Sequence, residues 1–194
     1  MSLSKSLKSA SALLGAVALG FAITLAAPVG GQAQEPVMVG GAPMYPNKNI
    51  IENAVNSKDH TTLVAAVKAA GLVETLSGPG PFMVFAPTNA AFAALPAGTV
   101  ETLLKPENKA ALVKVLTSHV VGTAVMSDAI GKMVDDDKGA HPVKTLSGAV
   151  LIVKKANGKL TLTDEMGGTA NVTIADVKQS NGVIHVIDKV LLPK

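Results

Sequence analysis

Apolar residues occupy both faces of the run at positions 181–193, which reads Asn-Gly-Val-Ile-His-Val-Ile-Asp-Lys-Val-Leu-Leu-Pro. A strand with this pattern must be covered on both sides, so we predict a central strand rather than an edge. The stretch at 82–89, Phe-Met-Val-Phe-Ala-Pro-Thr-Asn, has the same two-faced pattern and runs into a predicted helix start. The two segments therefore predict two buried strands at the centre of one sheet.

Helical periodicity is concentrated in the first half of the chain, and strand alternation in the second half. Apolar residues recur at helical spacing after positions 47, 59 and 106, and Thr88 or Asn89 can cap a further helix. After residue 140 the pattern alternates, and Asn157-Gly158 between two alternating runs predicts a β-hairpin. Because βαβ alternation is missing, we predict an α+β fold in a single domain, residues 47–194.

The N-terminal segment, residues 1–33, is predicted to be a secretory signal peptide. Lys5 and Lys8 precede an apolar run at 12–27, and Gly-Gln-Ala ending at Ala33 supplies small residues for cleavage. A membrane anchor or a buried helix is the alternative. The apolar run is shorter than the roughly 20 residues that span a bilayer, so a cleaved signal is preferred.

A short connecting segment, residues 34–46, separates the signal from the domain. It contains Pro36, Pro43 and a Gly pair at 40–41, and it has no apolar period. Such a segment is predicted to be a flexible leader.

Charge and composition narrow the route of export and the class of partner. The chain has no Cys and no Arg, which excludes a lipidated Cys and a twin-arginine signal and leaves general secretion. Removal of the signal segment, which contains Lys5 and Lys8, reduces the net charge of the chain from +3 to +1. A nearly neutral domain without Arg is a poor nucleic-acid binder, because phosphate recognition favours the Arg fork. We expect a secreted, periplasmic or cell-surface monomer that does not insert into the membrane after cleavage.

Two histidines lie among apolar residues and are the first candidates for chemistry. His185 is set in the two-faced strand, and His119 continues the apolar stripe of the helix after residue 106. Each could be a binding residue or a general base, but a core histidine held by hydrogen bonds is the preferred interpretation. Asp188 is three residues from His185 in a strand, so the two side chains should point to opposite faces.

Catalytic, metal and cofactor sites are not predicted. Ser118 beside His119 suggests a hydrolase, but neighbouring residues of a helix do not face each other and no Gly-x-Ser-x-Gly elbow is present. The acidic run at 135–137 lacks the alternating ligands and central Gly of a calcium loop. The four His have no metal-ligand spacing.

Four segments in order resemble the fasciclin domain family. The stretch Phe-Met-Val-Phe-Ala-Pro-Thr-Asn-Ala-Ala-Phe at 82–92 is similar to the first signature block of that family, and 181–193 matches the second almost letter for letter. Between them, Ser-His-Val-Val at 118–121 resembles the Tyr-His segment, and Thr-Leu-Ser-Gly at 145–148 resembles a conserved turn. The resemblance covers about residues 47–193. It makes Thr88, Asn89, Asn181, Gly182, His185 and Asp188 structural signature positions.

The resemblance implies a wedge of small helices packed on a β-sandwich of two sheets, and a role in adhesion or protein contact outside the cytoplasm. Positions tied to integrin binding in animal members fall on Asp176, Val177, Ser118 and His119, with Val177 in place of Ile and Ser118 in place of Tyr. These four residues are the candidate partner-binding site.

Three classes of function are therefore compared. An exported interaction or adhesion module without catalytic activity is preferred, with an unidentified protein or surface glycan as its partner. The alternatives are a periplasmic hydrolase and a carrier of a small apolar ligand.

Overall fold

The computed structural model describes residues 35–194, so the predicted signal peptide lies outside the described residues. Seven α-helices occur within this range: Ile50–Ala54 (α1), Thr61–Ala70 (α2), Val73–Ser77 (α3), Asn89–Ala93 (α4), Thr99–Leu104 (α5), Lys109–Thr117 (α6) and Ser127–Asp136 (α7). The nine strands in the same range are Val37–Val39 (β1), Ala42–Met44 (β2), Phe82–Pro87 (β3), Val120–Val121 (β4), Ala140–Lys144 (β5), Val150–Ala156 (β6), Lys159–Thr163 (β7), Thr169–Gln179 (β8) and Gly182–Ile187 (β9). No helix in the described part is long and apolar enough to cross a membrane.

Seven of the strands form one mixed sheet in the order β4-β3-β9-β8-β7-β6-β5. The β3 and β9 strands pair in parallel, and every other neighbouring pair in this sheet is antiparallel. The long β8 strand pairs with β7 in its first part and with β9 along most of its length, with two register irregularities between Val172 and Val177. The predicted α+β class is confirmed, and the two sheets of the expected sandwich are two parts of one sheet that share β8.

Two apolar clusters cover the two faces of the central strands. Helices α1, α2 and α6 pack against Val84 and Ala86 of β3 and Ile184 and Val186 of β9 in the first cluster. The opposite faces of β3 and β9 meet α7, β6 and β7 in the second cluster, which includes Met83, Phe85, Leu151, Val153, Leu162 and Ile187. The prediction of two strands buried on both faces is thus confirmed.

Local signals explain where several elements begin and end. Asn49, rather than the predicted residue 47, caps α1 and forms a reciprocal capping box with Glu52. The α2 helix ends at Gly71, whose φ of 74° is the left-handed conformation that Gly adopts without penalty. The predicted hairpin at Asn157-Gly158 is present between β6 and β7, and both residues have positive φ values of 52° and 75°.

The predicted flexible leader is wrong for residues 37–44, which form the antiparallel hairpin of β1 and β2. Gly40 and Gly41 have φ values of 58° and 76°, so the Gly pair makes a tight turn instead of a flexible link. Val39 and Met44 are both 3 % exposed and belong to the first cluster. The short segment was misread because three-residue strands carry no measurable apolar period.

Candidate functional site

Three of the four predicted partner-binding residues are buried. Ser118, His119 and Val177 are 1 %, 2 % and 1 % exposed, and only Asp176 reaches the surface in part. Residues 176 and 177 lie inside β8. Val177 packs in the first cluster, and a partner cannot contact its side chain. The structure therefore does not bring the four candidate residues together on an accessible surface.

The Asp176 carboxylate binds the N-terminus of α7. It accepts hydrogen bonds from the backbone N–H of Ser127, at 2.6 Å, and from the Ser127 hydroxyl. A carboxylate at this end of a helix satisfies a free N–H group and complements the helix dipole. Asp176 also has a φ of 60°, an unusual value for a residue other than Gly. Asp176 lies in β8, 49 residues along the chain from Ser127, so its hydrogen bonds fix α7 on the sheet.

His185 connects three elements from the centre of the sheet. Its Nδ1 accepts a hydrogen bond from the backbone N–H of Asp176 at 3.3 Å, and its Nε2 donates to the carbonyl oxygen of Val125 at 3.2 Å. The ring stacks on Phe85 at 5.8 Å between centroids. Burial lowers the pKa of His185, and the Val125 carbonyl and the Asp176 charge oppose part of this shift. A neutral His185 therefore holds together β9, β8 and the segment before α7.

Ser118 and His119 do not form a nucleophile and base. His119 Nδ1 donates to the Val115 carbonyl at 2.8 Å, and its Nε2 accepts from the backbone N–H of Leu191 at 2.9 Å. Both ring nitrogens are therefore occupied, and burial lowers the pKa of His119 to about 4. The Ser118 hydroxyl donates to the Lys114 carbonyl at 2.7 Å. Because both nitrogens of His119 have other partners, His119 cannot take the proton of the buried Ser118 hydroxyl.

A hydroxyl network joins the end of α6 to the turn at 145–148. Ser118 Oγ lies 2.9 Å from Ser147 Oγ, which lies 2.9 Å from Thr145 Oγ1. Thr145 Oγ1 in turn donates to the Ala149 carbonyl at 3.0 Å. Ser118 thus supports a surface turn from below instead of contacting a partner itself.

Two residues of the first signature block fix the beginnings of α4 and α2. Thr88 accepts a hydrogen bond from the N–H of Ala91 and so caps α4. Asn89 instead reaches back to the start of α2: its Oδ1 accepts from the N–H of Thr62 at 3.0 Å, and its Nδ2 donates to the Lys58 carbonyl at 2.8 Å. Thr88 is therefore the cap residue of α4, and Asn89 joins α4 to the start of α2 by hydrogen bonds.

The second signature block closes the other end of the central strands. Asn181 donates to the carbonyl oxygens of Leu76 and Gly78 and accepts from the N–H of Ile50. At Gly182 an added Cβ would lie 2.0 Å from the carbonyl oxygen of Phe82, so no other residue fits.

Asp188 has a separate partner in β8. Its Oδ1 accepts from the backbone N–H of Asn171 and its Oδ2 from the Asn171 side-chain amide, both at 2.7 Å. These contacts differ from those of His185, as the opposite-face prediction requires.

Two carboxylates near α7 contact nitrogen atoms of other side chains. Asp137 Oδ2 lies 2.5 Å from His141 Nδ1, and Asp135 Oδ2 lies 3.1 Å from Lys155 Nζ. Across residues 35–194 there is no group of three His, Asp or Glu side chains with the arrangement of a metal site. The acidic run at 135–137 is a solvated surface segment.

Three exposed apolar side chains lie in or next to the turns at 145–148 and 164–167, and the sequence pattern did not identify them. Leu146, Val150 and Met166 are 46 %, 38 % and 63 % exposed, and we call these three residues the turn surface. The N–H of Leu146 donates to the Val120 carbonyl at 2.8 Å, and the N–H of Val150 donates to Glu165 Oε1 at 3.1 Å. The first bond fixes the turn at 145–148 on β4, and the second joins the start of β6 to the turn that carries Met166. The available signal was a Leu and a Met inside turns that also contain Gly.

Comparison with known proteins identifies the family of this chain. The sequence model of the fasciclin domain family matches residues 58–193. Protein sll1483 of Synechocystis sp. is 54 % identical over 144 residues, which cover 74 % of this chain and 73 % of that protein. The immunogenic protein MPB70 of Mycobacterium bovis is 34 % identical over 173 residues, covering 86 % and 74 % of the two chains.

A solved structure shares the fold, and a longer animal relative matches this chain over part of its length. A structure of the FAS1 domain pair from the insect cell adhesion molecule Fasciclin I superimposes with a TM-score of 0.68 at 17 % identity, covering 76 % of this chain and 52 % of that one. The transforming growth factor-beta-induced protein ig-h3 of Sus scrofa is 40 % identical over 131 residues, which are 68 % of this chain but only 17 % of that protein. The chain belongs to the fasciclin domain family, which includes cell-adhesion and extracellular proteins.

Proposed function

We propose that the chain is an exported protein-interaction module without catalytic activity, and that it contacts a protein partner outside the cytoplasm through the turn surface. The observation that carries the proposal is the contrast between Ser118 and His119, whose polar atoms are used in internal hydrogen bonds, and the exposed side chains of Leu146, Val150 and Met166. Exposed apolar side chains on a rigid support are typical of protein contact sites.

Hydrogen bonds to neighbouring segments hold the turns that carry the turn surface in place. Thr145 and Ser147 are held by Ser118 at the end of α6, and Glu165 is held by the backbone of β6 and by the N–H of Lys194. A pre-ordered loop loses little conformational entropy on binding, so more of the contact energy appears as affinity. Ser118 acts in this proposal as a support of the surface, and Asp176 acts at a different place, on α7.

Affinity capture from envelope and surface extracts with residues 34–194 as bait tests the proposal. We expect a protein partner whose affinity falls at least about tenfold with Leu146→Asp or Met166→Asp, since central apolar contacts are commonly worth more than about 1.4 kcal/mol. Val55→Asp is the matched control, because Val55 is 48 % exposed at the end of α1. A partner that binds both turn variants as tightly as the unmodified domain would place the interface elsewhere.

A further inference from the structure

Two Asn-Gly dipeptides occur in the chain, and the structure places them in different surroundings. Asn157-Gly158 forms the turn between β6 and β7, and Asn181-Gly182 stands at the start of β9. In an Asn-Gly dipeptide the backbone nitrogen of the glycine can attack the side-chain amide carbon of the asparagine, because glycine has no Cβ to hinder the approach. The fold therefore decides at which of the two dipeptides this chemistry can occur.

The turn at 157–158 leaves both reacting groups open to solvent. Asn157 and Gly158 are exposed, as are the residues on either side of them. Ala156 and Lys159 are the last pair of the β6–β7 ladder, so the N–H of Gly158 lies beyond the hydrogen bonds between the strands. A Cβ added at Gly158 would meet nothing within 4 Å. The attacking nitrogen is thus neither paired in the ladder nor covered by packing.

The side-chain amide of Asn157 is free to turn toward that nitrogen. Side-chain hydrogen bonds in this part of the described chain involve Lys155 and Thr161, and none involves Asn157. Asn157 also has a φ of 52°, a conformation that is less stable than the right-handed one for any residue with a Cβ. Opening of this turn disturbs only the exposed end of a hairpin, which is a low-energy local motion.

The amide of Asn181 is held in place from both ends. Its Nδ2 donates to the carbonyl oxygens of Leu76, at 2.8 Å, and Gly78, at 2.9 Å, and its Oδ1 accepts from the N–H of Ile50 at 3.0 Å. The side chain cannot rotate toward the next backbone nitrogen until all three hydrogen bonds are broken.

The nitrogen of Gly182 is equally restricted. Gly182 pairs with Phe82 of β3 on one side and with Gln179 of β8 on the other. Its backbone also lies so close to β3 that an added Cβ would be 2.0 Å from the Phe82 carbonyl oxygen. Attack by this nitrogen requires β9 to separate from its neighbours, which is a large-scale opening of the core.

We propose that the Asn157-Gly158 turn is a site of spontaneous deamidation in the folded protein, which converts Asn157 to aspartate and isoaspartate, while Asn181-Gly182 stays intact. The site does not involve the turn surface, and its existence is independent of the proposed function.

The reaction consumes water and releases ammonia. A solvent base takes the proton of the Gly158 N–H, and the nitrogen forms a bond to the side-chain carbonyl carbon of Asn157. The bond from that carbon to the amide nitrogen breaks, and the amide nitrogen leaves as ammonia after it takes a proton from water. Water then opens the cyclic imide at one of its two carbonyl carbons, which leaves either aspartate or isoaspartate in place of Asn157.

Deamidation changes the charge beside a polar groove between the hairpin and α7. Gly158 lines this groove, and the charged residues that line it with Gly158 are Asp128, Lys132, Asp135 and Lys155. Two lysines and two aspartates balance each other, so a new carboxylate at position 157 makes this region acidic. Isoaspartate also routes the main chain through the former side chain and lengthens it by a methylene group, so the two-residue turn cannot keep its geometry.

Peptide mapping by mass spectrometry tests the proposal on residues 34–194, which form one compact unit. Folded protein kept at pH 8 should exchange the amide for an acid at position 157 at least about tenfold faster than at position 181, since Asn181 must first lose three hydrogen bonds. The rate at 157 should be lower at pH 6, because the Gly158 N–H must lose its proton before it attacks.

Two controls separate the effect of the fold from that of the dipeptide. In urea at pH 8 the two rates should become similar, because both sites are then the same dipeptide in an unfolded chain. Asn157→Gln is the matched variant, since attack on its longer side chain must close a larger ring and is much slower. This variant should lose the acidic species that ion-exchange chromatography separates from the unmodified protein.

Two results would overturn the site. Folded protein that keeps Asn157 intact over a period in which urea-unfolded protein is modified there would show that the turn protects this residue. Equal modification at 157 and 181 in the folded protein would show that the hydrogen bonds of Asn181 and the pairing of Gly182 do not control the reaction.

Discussion

Histidine acts in this protein mainly as a neutral connector. His119 and His185 each bond two backbone groups from different segments, and each has a lowered pKa because it is buried. An imidazole that donates from one nitrogen and accepts at the other can bridge two strands in a way that no aliphatic residue can. His60 is buried as well, and its Nδ1 lies 2.9 Å from the hydroxyl oxygen of Ser57.

Replacement of His185 tests its structural role. His185→Ala should lower the free energy of unfolding by about 2–4 kcal/mol, because it opens a cavity beside Phe85 and leaves the Asp176 N–H and the Val125 carbonyl without partners. Urea unfolding at pH 7 measures the change. His141→Ala, which removes a partly exposed surface histidine, is the control and should stay within about 0.5 kcal/mol. An unchanged midpoint for His185→Ala would point to a role in binding instead.

Stability should fall in mild acid because of His119. Its pKa is about 4 in the folded protein and about 6.5 when unfolded, so between these values the unfolded chain binds more protons than the folded protein. The contribution of His119 is complete above pH 6.5 and is lost as the pH falls toward 4, amounting to roughly 3 kcal/mol. His60 and His185 act in the same direction.

Urea midpoints measured between pH 7 and pH 4.5 check this dependence. His119→Asn should be less stable at pH 7 and should show a smaller loss between the two pH values. Equal slopes in the two proteins would contradict the assignment.

Among the elements, β8 does more than pair with its neighbours. It joins the two parts of the sheet, and the irregular register between Ile174 and Val177 places Asp176 in the left-handed conformation from which it reaches α7. A bulge that redirects one side chain is a common device of antiparallel sheets. The helix–sheet contact therefore depends on one irregular point in an otherwise regular strand.

Loss of the Asp176 carboxylate should destabilise α7 selectively. Asp176→Ala is expected to cost about 1–2 kcal/mol, the usual value of a helix cap, and to increase hydrogen exchange in the first turn of α7. Asp136→Ala, at the opposite end of α7, is the control for removal of a negative charge. Exchange that rises equally in α7 and in α2 would indicate a global effect and contradict the local role.

Elements differ in how well their sequences reveal them. Local spacing alone was sufficient to predict β3 and β9, from their two-faced patterns, and the hairpin at Asn157-Gly158. The β1–β2 hairpin could not be predicted, since its strands have three residues each and its stability comes from Val39 and Met44 in a distant cluster. The roles of Asp176 and Val177 depend on a bulge and on contacts 49 residues away, and no local pattern contains that information.

At the scale of the whole molecule, the family and fold class followed from ordered signature segments, but the surface did not. Signature residues such as Asn181 and Asn89 bond backbone groups of other segments, so they report how the chain is folded. Leu146 and Met166 lie in turns, and their side chains are exposed. A family pattern therefore predicts the framework, whereas the choice of a partner is a property of the surface.

Export with cleavage near Ala33 remains a prediction for the whole chain. We expect the mature protein to begin at about residue 34, since the small residues at 31–33 follow the apolar run of the signal. Intact-mass measurement of protein recovered outside the cytoplasm checks this. Retention of residues 1–27 in that species would contradict cleavage, and Ala33→Arg should block processing and serve as the control.

The parallel pairing of β3 with β9 joins residues 82–87 to residues 182–187, and it has a consequence for the order in which the protein is made. A ribosome releases the helical half long before the strand that completes its sheet, and Ile184, Val186 and Val190 of the first cluster are made about 100 residues after β3. Contacts between such distant residues form slowly and only when both are available. The growing chain thus cannot complete this core before residues 182–190 are made. For a chain exported as proposed, this delay keeps the polypeptide in a threadable state, and folding is completed on the far side of the membrane.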